Sequence, residues 1–381
     1  MKQLLAILLT LALVLSFGGC ARKDRVIPAP QSGGVPTVSP EPVAAVPTRS
    51  APDHIAADLG NNITINAVVD RPAGECGLGI FQVEDMTLDE EKALNLLLGV
   101  GYRVDPETPP AEGMEYYEKG DRGLILRDNR RGLSLYARSS GGADIFNILD
   151  TSHVVLETEP DFMSRQEAIT LARDTLAGLG ITGTQVVRCV PIDQAGLAAL
   201  AEEFRDFFGG SEEDAALYAA CPPCYVIDLC QTAGGVPIYH DLIQLTTGDA
   251  ETPDRVAIQP FLRAVVTAEG LYELEVDDCL TVGAQAQAGV KVLTAEEMAA
   301  AIGKCYEDII NTDPTTIRSL SLQYAALPVS LQGKERQLRP IWVARGERSV
   351  YEPQRGGEPM EFPLTLFFDA VTGQLVEDGY K

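Results

Sequence analysis

Residues Thr294 to Ala344 read TAEEMAAAIGKCYEDIINTDPTTIRSLSLQYAALPVSLQGKERQLRPIWVA. Two periods meet in this stretch. Thr294 is followed three residues later by Glu297, the capping box in which a hydroxyl and a carboxylate each satisfy a free backbone N–H at a helix start. Met298, Ala301, Ile302, Cys305 and Ile309 then recur at helical spacing, so a helix with one apolar face is expected over 295–310. Asp313-Pro314 turns the chain. Leu320, Leu322, Tyr324 and Ala326 alternate with Ser319, Ser321, Gln323 and Ala325, the period of a half-buried strand. A second strand is expected from Arg339 through Ala344 and a third over 364–368. Asp369-Ala370-Val371-Thr372-Gly373 turns that strand into a short hairpin. A helix apolar on one face needs a sheet to lie on, and an antiparallel meander follows it directly.

The same theme recurs upstream. Thr87 with Glu90 and Ser164 with Glu167 repeat the capping signal. Leu88, Leu94, Leu97 and Leu98 follow the first. Ala168, Leu171, Ala172, Thr175, Leu176 and Leu179 follow the second. Strands are expected around them over 63–69, 78–83, 123–127, 133–138, 153–157, 185–190, 225–229, 237–245, 257–266 and 271–276. Gly234-Gly235 and Glu269-Gly270 are the hairpin signals among these. Two further helices are expected between Ala195 and Ala220, as a packed cap. The fold class is therefore α+β: two or three modules, each a helix packed on an antiparallel sheet, after a disordered N-terminal tether. The expected divisions are 63–150, 151–290 (carrying the helical insert) and 291–381.

The chain has 381 residues, of which 45% are hydrophobic and 22% charged, and its net charge is −25. That length and composition allow two or three ordinary domains. The acidic balance excludes a basic nucleic-acid footprint. Lys2, an apolar run from Leu4 to Leu15, and Gly18-Gly19 before Cys20 form the parts of a secretory signal over 1–19. The apolar run is too short to span a bilayer. With the cysteine straight after two glycines, the segment resembles a bacterial lipoprotein signal, which implies a lipidated Cys20 (palmitate among its acyl chains), a membrane anchor and an extracytoplasmic body. Phe17 departs from the family's usual leucine. Residues 20–62 read as the lipidated, proline-rich tether: Pro28, Pro30, Pro36, Pro40, Pro42, Pro47 and Pro52 forbid a continuous helix or sheet. Arg22, Lys23 and Arg25 sit where anionic headgroups attract them.

Helix followed by antiparallel meander, with Pro340-Ile341-Trp342 in the middle strand and Asp369-Ala370-Val371-Thr372-Gly373 at the end, resembles the PepSY-type module over Leu293 to Glu377. That resemblance implies an exported protein or an anchored regulator. The chain as a whole is similar to the uncharacterised lipoproteins of Gram-positive anaerobes, which carry no activity across.

Chemistry is sparse. Cys221-Pro222-Pro223-Cys224 with Cys230 and His240 gives four residues of the types that close a tetrahedral zinc site. As a redox dithiol, Cys221 and Cys224 lack a helix N-terminus ahead of them. An odd set of seven cysteines beyond Cys20 points to mostly free thiols. His240-Asp241 has the form of a base with an orienting carboxylate. Asp249, Glu251 and Asp254 lack EF-hand spacing, and Asp277-Asp278 reads as a solvated turn. No serine-hydrolase elbow, zincin helix or P-loop is present. The expected function is a lipid-anchored extracytoplasmic binding or regulatory protein. It is read as non-enzymatic, needing no cofactor unless zinc, and contacting an envelope protein partner and no nucleic acid. Its expected contact surfaces are edge strands and the Glu352–Glu361 loop. The alternative is an envelope hydrolase, metal- or carboxylate-dependent, using the Cys221–His240 region.

Overall fold

The structure is a computed structural model. It describes residues 53–71, 78–105, 113–137, 149, 152, 154–208, 211–241, 243–245, 255–307, 311–330, 335–351 and 359–376. The signal, Cys20, most of the tether, the Asp249–Asp254 cluster and residues 352–358 of the expected contact loop lie outside the described residues.

Strands from the two ends of the chain build one sheet of seven. It takes β1 (Asp53–Gly60), β2 (Ile63–Asp70), β3 (Ile80–Asp85), β15 (Leu280–Gln287), β16 (Thr315–Pro328), β17 (Arg336–Tyr351) and β18 (Pro359–Asp369). The order is β1-β2-β16-β17-β3-β15, with β18 also on β17. Every pairing is antiparallel except β2 with β16. β2 alternates strictly, burying Ile63, Ile65, Ala67 and Val69. Asn61 and Asn62 both take positive φ (51° and 61°), the backbone that a tight hairpin with the right twist demands.

Helix α5 (Ala295–Cys305) lies on this sheet. Thr294 and Glu297 form the expected capping box, and Ala295, Met298, Ala299 and Ile302 face inward. They pack on Ala67, Leu320, Leu322 and Trp342. The Trp342 indole N–H donates to the Leu293 carbonyl at 3.1 Å, which satisfies its one polar atom. The sheet's other face buries Ala325, Leu327, Ile341, Val343 and Phe367 under Tyr239, Ile243 and Ala257. Those last residues belong to the segment around a small hairpin, β11 (Ile243–Leu245) with β12 (Arg255–Ala257).

The middle of the chain builds a second sheet of nine strands. These are β4 (Arg103–Val104), β5 (Glu115–Lys119), β6 (Arg122–Arg127), β7 (Gly132–Ala137), β8 (Thr184–Ile192), β9 (Cys224–Ala233), β10 (Val236–Pro237), β13 (Phe261–Thr267) and β14 (Gly270–Asp277). The order is β10-β9-β13-β14-β7-β6-β5-β4, with β8 on β9. Helices α1 (Glu90–Leu97) and α2 (Arg165–Gly178) cover one face, where Leu124, Leu133, Tyr225, Ile227, Leu262 and Val276 meet Leu94, Ala172 and Leu176. Helix α3 (Gln194–Phe208) covers part of the other face, packing Leu197, Leu200 and Ala201 on Val226 and Val265. Helix α4 (Glu212–Ala219) follows it.

The architecture is α+β with two antiparallel-rich sheets, as expected. The division of the chain is different. Strands within 53–85 pair with strands within 280–369, and the second sheet is inserted between them, so the boundaries at 63, 150 and 290 do not separate the two sheets. β1 occupies residues assigned to the tether, and His54 within it hydrogen-bonds Asn66 at 2.7 Å. The physical reason is β16. Its first residues, Thr315 to Ser321, present a free edge that the C-terminal meander cannot fill, and β2 fills it from the far end of the sequence. Local differences are smaller. α1 is capped by Asp89, whose carboxylate accepts from the Lys92 N–H, rather than by Thr87. The described residues 154–157 form no strand, and 237–245 is broken between β10 and β11.

Candidate functional site

Alternation along β9 and β13 puts apolar and charged residues on opposite faces of one sheet. Tyr225, Ile227 and Leu229 point to the α2 side, and Cys224, Val226 and Asp228 to the other. Beyond the cover of α3 that second face turns polar. Arg263 grips Asp228 with two bonds, Nε to Oδ1 at 2.7 Å and Nη2 to Oδ2 at 3.1 Å. Arg188 on β8 takes Asp228 Oδ2 as well. Burial pushes the Asp228 carboxyl up, but Arg263 and then Arg188 outweigh it and hold it below the usual range. Arg263 also stands 5.2 Å from the Phe261 ring centre, a cation–π contact.

Next to this network opens a cleft of about 360 Å³, lined by Arg127, Asp128, His240, Asp241, Ile258, Gln259, Phe261, Asp277 and Asp278. Two turns supply its acidic side. The β6–β7 turn carries Asp128, Asn129 and Arg130 in the left-handed region (φ 48°, 56° and 71°), and Asp278 after β14 does the same (φ 47°). Aspartate and asparagine tolerate that backbone. Arg130 does so less readily and is tied down by Glu115 and Glu90. Strain of this kind gathers where a surrounding structure holds a turn in one shape.

Arg127 at the end of β6 donates to Asp277 Oδ2 at 2.9 Å and to Glu275 Oε1 at 3.3 Å. A Cβ on Gly132 would run into the Asp277 carboxylate, so only glycine leaves that acid its place. Burial pushes Asp277 up to about 7 against the pull of Arg127, and Glu275, Asp278 and Asp128 add to the rise. Burial raises Asp278 too, with Arg131 pulling it back. His240 is pushed down, by burial first and then by Arg345, so its imidazole stays neutral at pH 7.

Two glutamines join the sheets beside the cleft. Gln259 accepts from the Ala326 N–H at 2.8 Å and donates to the Ala326 carbonyl at 3.1 Å. Gln231 does the same for Leu280, at 2.8 and 3.1 Å. Each carboxamide stands where a neighbouring strand's peptide group would stand.

The expected zinc quartet is not brought together. Cys221 and Cys224 are buried in the apolar cluster under α3. Cys224 and Cys230 lie on one strand six residues apart, which separates them by about 20 Å. Zinc–ligand bonds of about 2 Å cannot bridge that. His240 lines the cleft instead. Among the described residues no group of three or more His, Cys, Asp and Glu is placed to hold a metal ion. Burial pushes the Cys221 thiol up to about 11 and raises Cys224 further, so neither is a reactive thiolate.

Of the residues singled out in the sequence, His240-Asp241 and Asp277-Asp278 meet in one cleft. Arg127, Asp128, Gln259 and Phe261 were not legible as partners. The only sequence signal for the first two is a polar run, Asp128-Asn129-Arg130-Arg131, between two strands.

No protein-family model matches the chain, and no curated protein matches it. Among solved structures, an uncharacterised protein from Eubacterium rectale is similar, with a TM-score of 0.56 at 14% identity. The match covers 84% of this chain and 92% of that one. At that identity the likeness is one of fold. No helix among the described residues is long and apolar enough to cross a membrane.

Proposed function

We propose that the protein is a lipid-anchored extracytoplasmic binding or regulatory protein, held by Cys20 and the proline-rich tether, that contacts an envelope protein partner through the cleft. The reading treats 291–381 as PepSY-like and the protein as non-enzymatic. The observation that carries it is the cleft's construction. The Arg263–Asp228–Arg188 network stands beside it, left-handed turns hold Asp128 and Asp278, and Ile258, 46% exposed, is among its lining residues. A rigid polar wall with an exposed apolar residue at its edge suits recognition of another chain's side chains.

A photo-crosslinking residue at Ile258 tests this in cells. One envelope protein is expected, and it should be missing when the crosslinker sits at Val100, which is 81% exposed and outside the cleft. Equal capture from both positions, or none from Ile258, overturns the reading. Cys20→Ser tests the anchor: it should release the protein from membranes or leave it unprocessed.

One observation favours a second reading, a carboxylate-dependent envelope hydrolase. Asp277 keeps its proton to about 7 in a cleft shared with Asp128, Asp241 and Asp278. A carboxyl with a raised pKa among other carboxyls is a candidate general acid. Turnover of any chromogenic glycoside or ester that disappears in Asp277→Asn would favour it over binding.

A further inference from the structure

We infer that the outer edge of β15 is a docking strand for an extended, basic-ended segment of a partner protein. The inference rests on the binding reading above and adds a second surface to it.

The sheet edges are not alike. β1 carries Asp53, His54 and Asp58, and β18 carries Pro359, Glu361 and Pro363. β8 carries Arg188 and Pro191, while β4 and β10 are two residues each. Charge, proline and shortness are the usual guards against another strand pairing on. β15 has no charged residue or proline and runs for eight residues; its guard is the irregular register that begins after Val282. It reads LTVGAQAQ, with Leu280 buried and every residue from Thr281 to Gln287 exposed. Among the described residues it pairs with β3 alone.

The direction of its free groups follows from the ladder. The Met86 N–H donates to the Cys279 carbonyl at 2.8 Å, and Leu280, Thr281 and Val282 oppose Asp85, Glu84 and Val83. In an antiparallel pair the bonds alternate. Cys279 and Thr281 therefore turn toward β3, while Leu280 and Val282 turn outward. Leu280's outward N–H and C=O are both taken by the Gln231 carboxamide, as a neighbouring strand would take them. Val282, 37% exposed, is the next outward rung. Register shifts after Val282 limit regular pairing to a short stretch, so the edge accepts a segment rather than a whole sheet.

Charge selects the segment. Asp278 precedes β15 and lines the cleft with Asp128 and Asp241, while Arg127 there is taken up by Asp277, and the whole chain carries −25. An added strand pairs through its backbone and is favoured when its ends are lysine or arginine rather than glutamate.

The test uses the full-length chain in detergent and a fluorescein-labelled peptide of alternating threonine and valine with a lysine at each end. Its anisotropy should rise on titration. Val282→Pro removes an outward N–H without touching the β3 ladder, and a loss of about tenfold in affinity is expected, with Ala284→Lys acting likewise as a guard charge. Both variants should keep the wild-type Tm. Binding unchanged in both variants, no binding by the wild type, or equal binding of a glutamate-ended peptide overturns the inference. So does a wild-type dimer in sedimentation that Val282→Pro dissolves, because the occupant is then a second copy. Crosslinking from Ile258 is independent of β15, so either surface can fail alone.

Discussion

The two faces of the nine-stranded sheet bury opposite kinds of residue a few ångströms apart. On the α2 side, Ile227, Leu229, Leu262 and Ala264 are dry and need only shape. On the cleft side, Asp228, Arg263 and Arg188 are held by charge, at positions that alternate with those same residues. The dry face is stabilised by area removed from water. The polar face recovers its desolvation only while every charge keeps its partner. One face therefore tolerates substitutions by volume, and the other fails when a single partner is lost.

Asp228→Ala should show the largest effect. It leaves Arg263 buried without its carboxylate, and a loss of about 3–5 kcal/mol in urea unfolding is expected. Replacing Asp228, Arg263 and Arg188 together with apolar residues should cost far less; if the triple change is worse than the single one, the contrast between faces is wrong. Ile227→Ala on the dry face should cost about 2–5 kcal/mol through the cavity it leaves, with no change in salt dependence. Gln231→Ala removes both bonds to the Leu280 backbone and should cost about 1–3 kcal/mol. Hydrogen exchange at the Leu280 amide should then rise with it.

The cleft also predicts a pH slope. Asp277 binds its proton up to about 7 when folded, well above the carboxylate's ordinary 3.8. The folded state therefore holds more protons than the unfolded one between those values, and this group's contribution to stability falls as pH rises from about 4 to 7. His240, pushed down in the fold, has the opposite sign below its ordinary 6.5. The smallest expected effect is thus a flattened slope in Asp277→Asn measured in a His240→Gln background. An unchanged slope would show that Asp277 is an ordinary surface acid.

Much of the local fold was legible. Ser164 with Glu167 and Thr294 with Glu297 announced two helices, and both form complete capping boxes. The period-two run around Leu320 to Ala326 lies inside β16. β15 was not legible: its alternation of Ala and Gln carries no apolar contrast, because neither of its faces is buried beyond Leu280. β1 was hidden by the prolines before it and by its acidic residues, which suit an edge and not a core. The candidate zinc ligands were close in sequence, yet a strand's extended rise carries Cys230 far from Cys224.

Sequence by itself determined the helices, the caps of α2 and α5, most strands, the α+β class and the acidic charge, because these follow from periodicity and from groups within a few residues of one another. Tertiary structure alone decided that residues 53–85 complete the sheet of residues 280–369, and that Arg127, Asp128, His240, Asp241, Asp277 and Asp278 share one cleft. Strand partners are chosen by which edge is left unfilled and which face must be buried. Those conditions exist only once distant segments have met, and no local pattern in the chain encodes them.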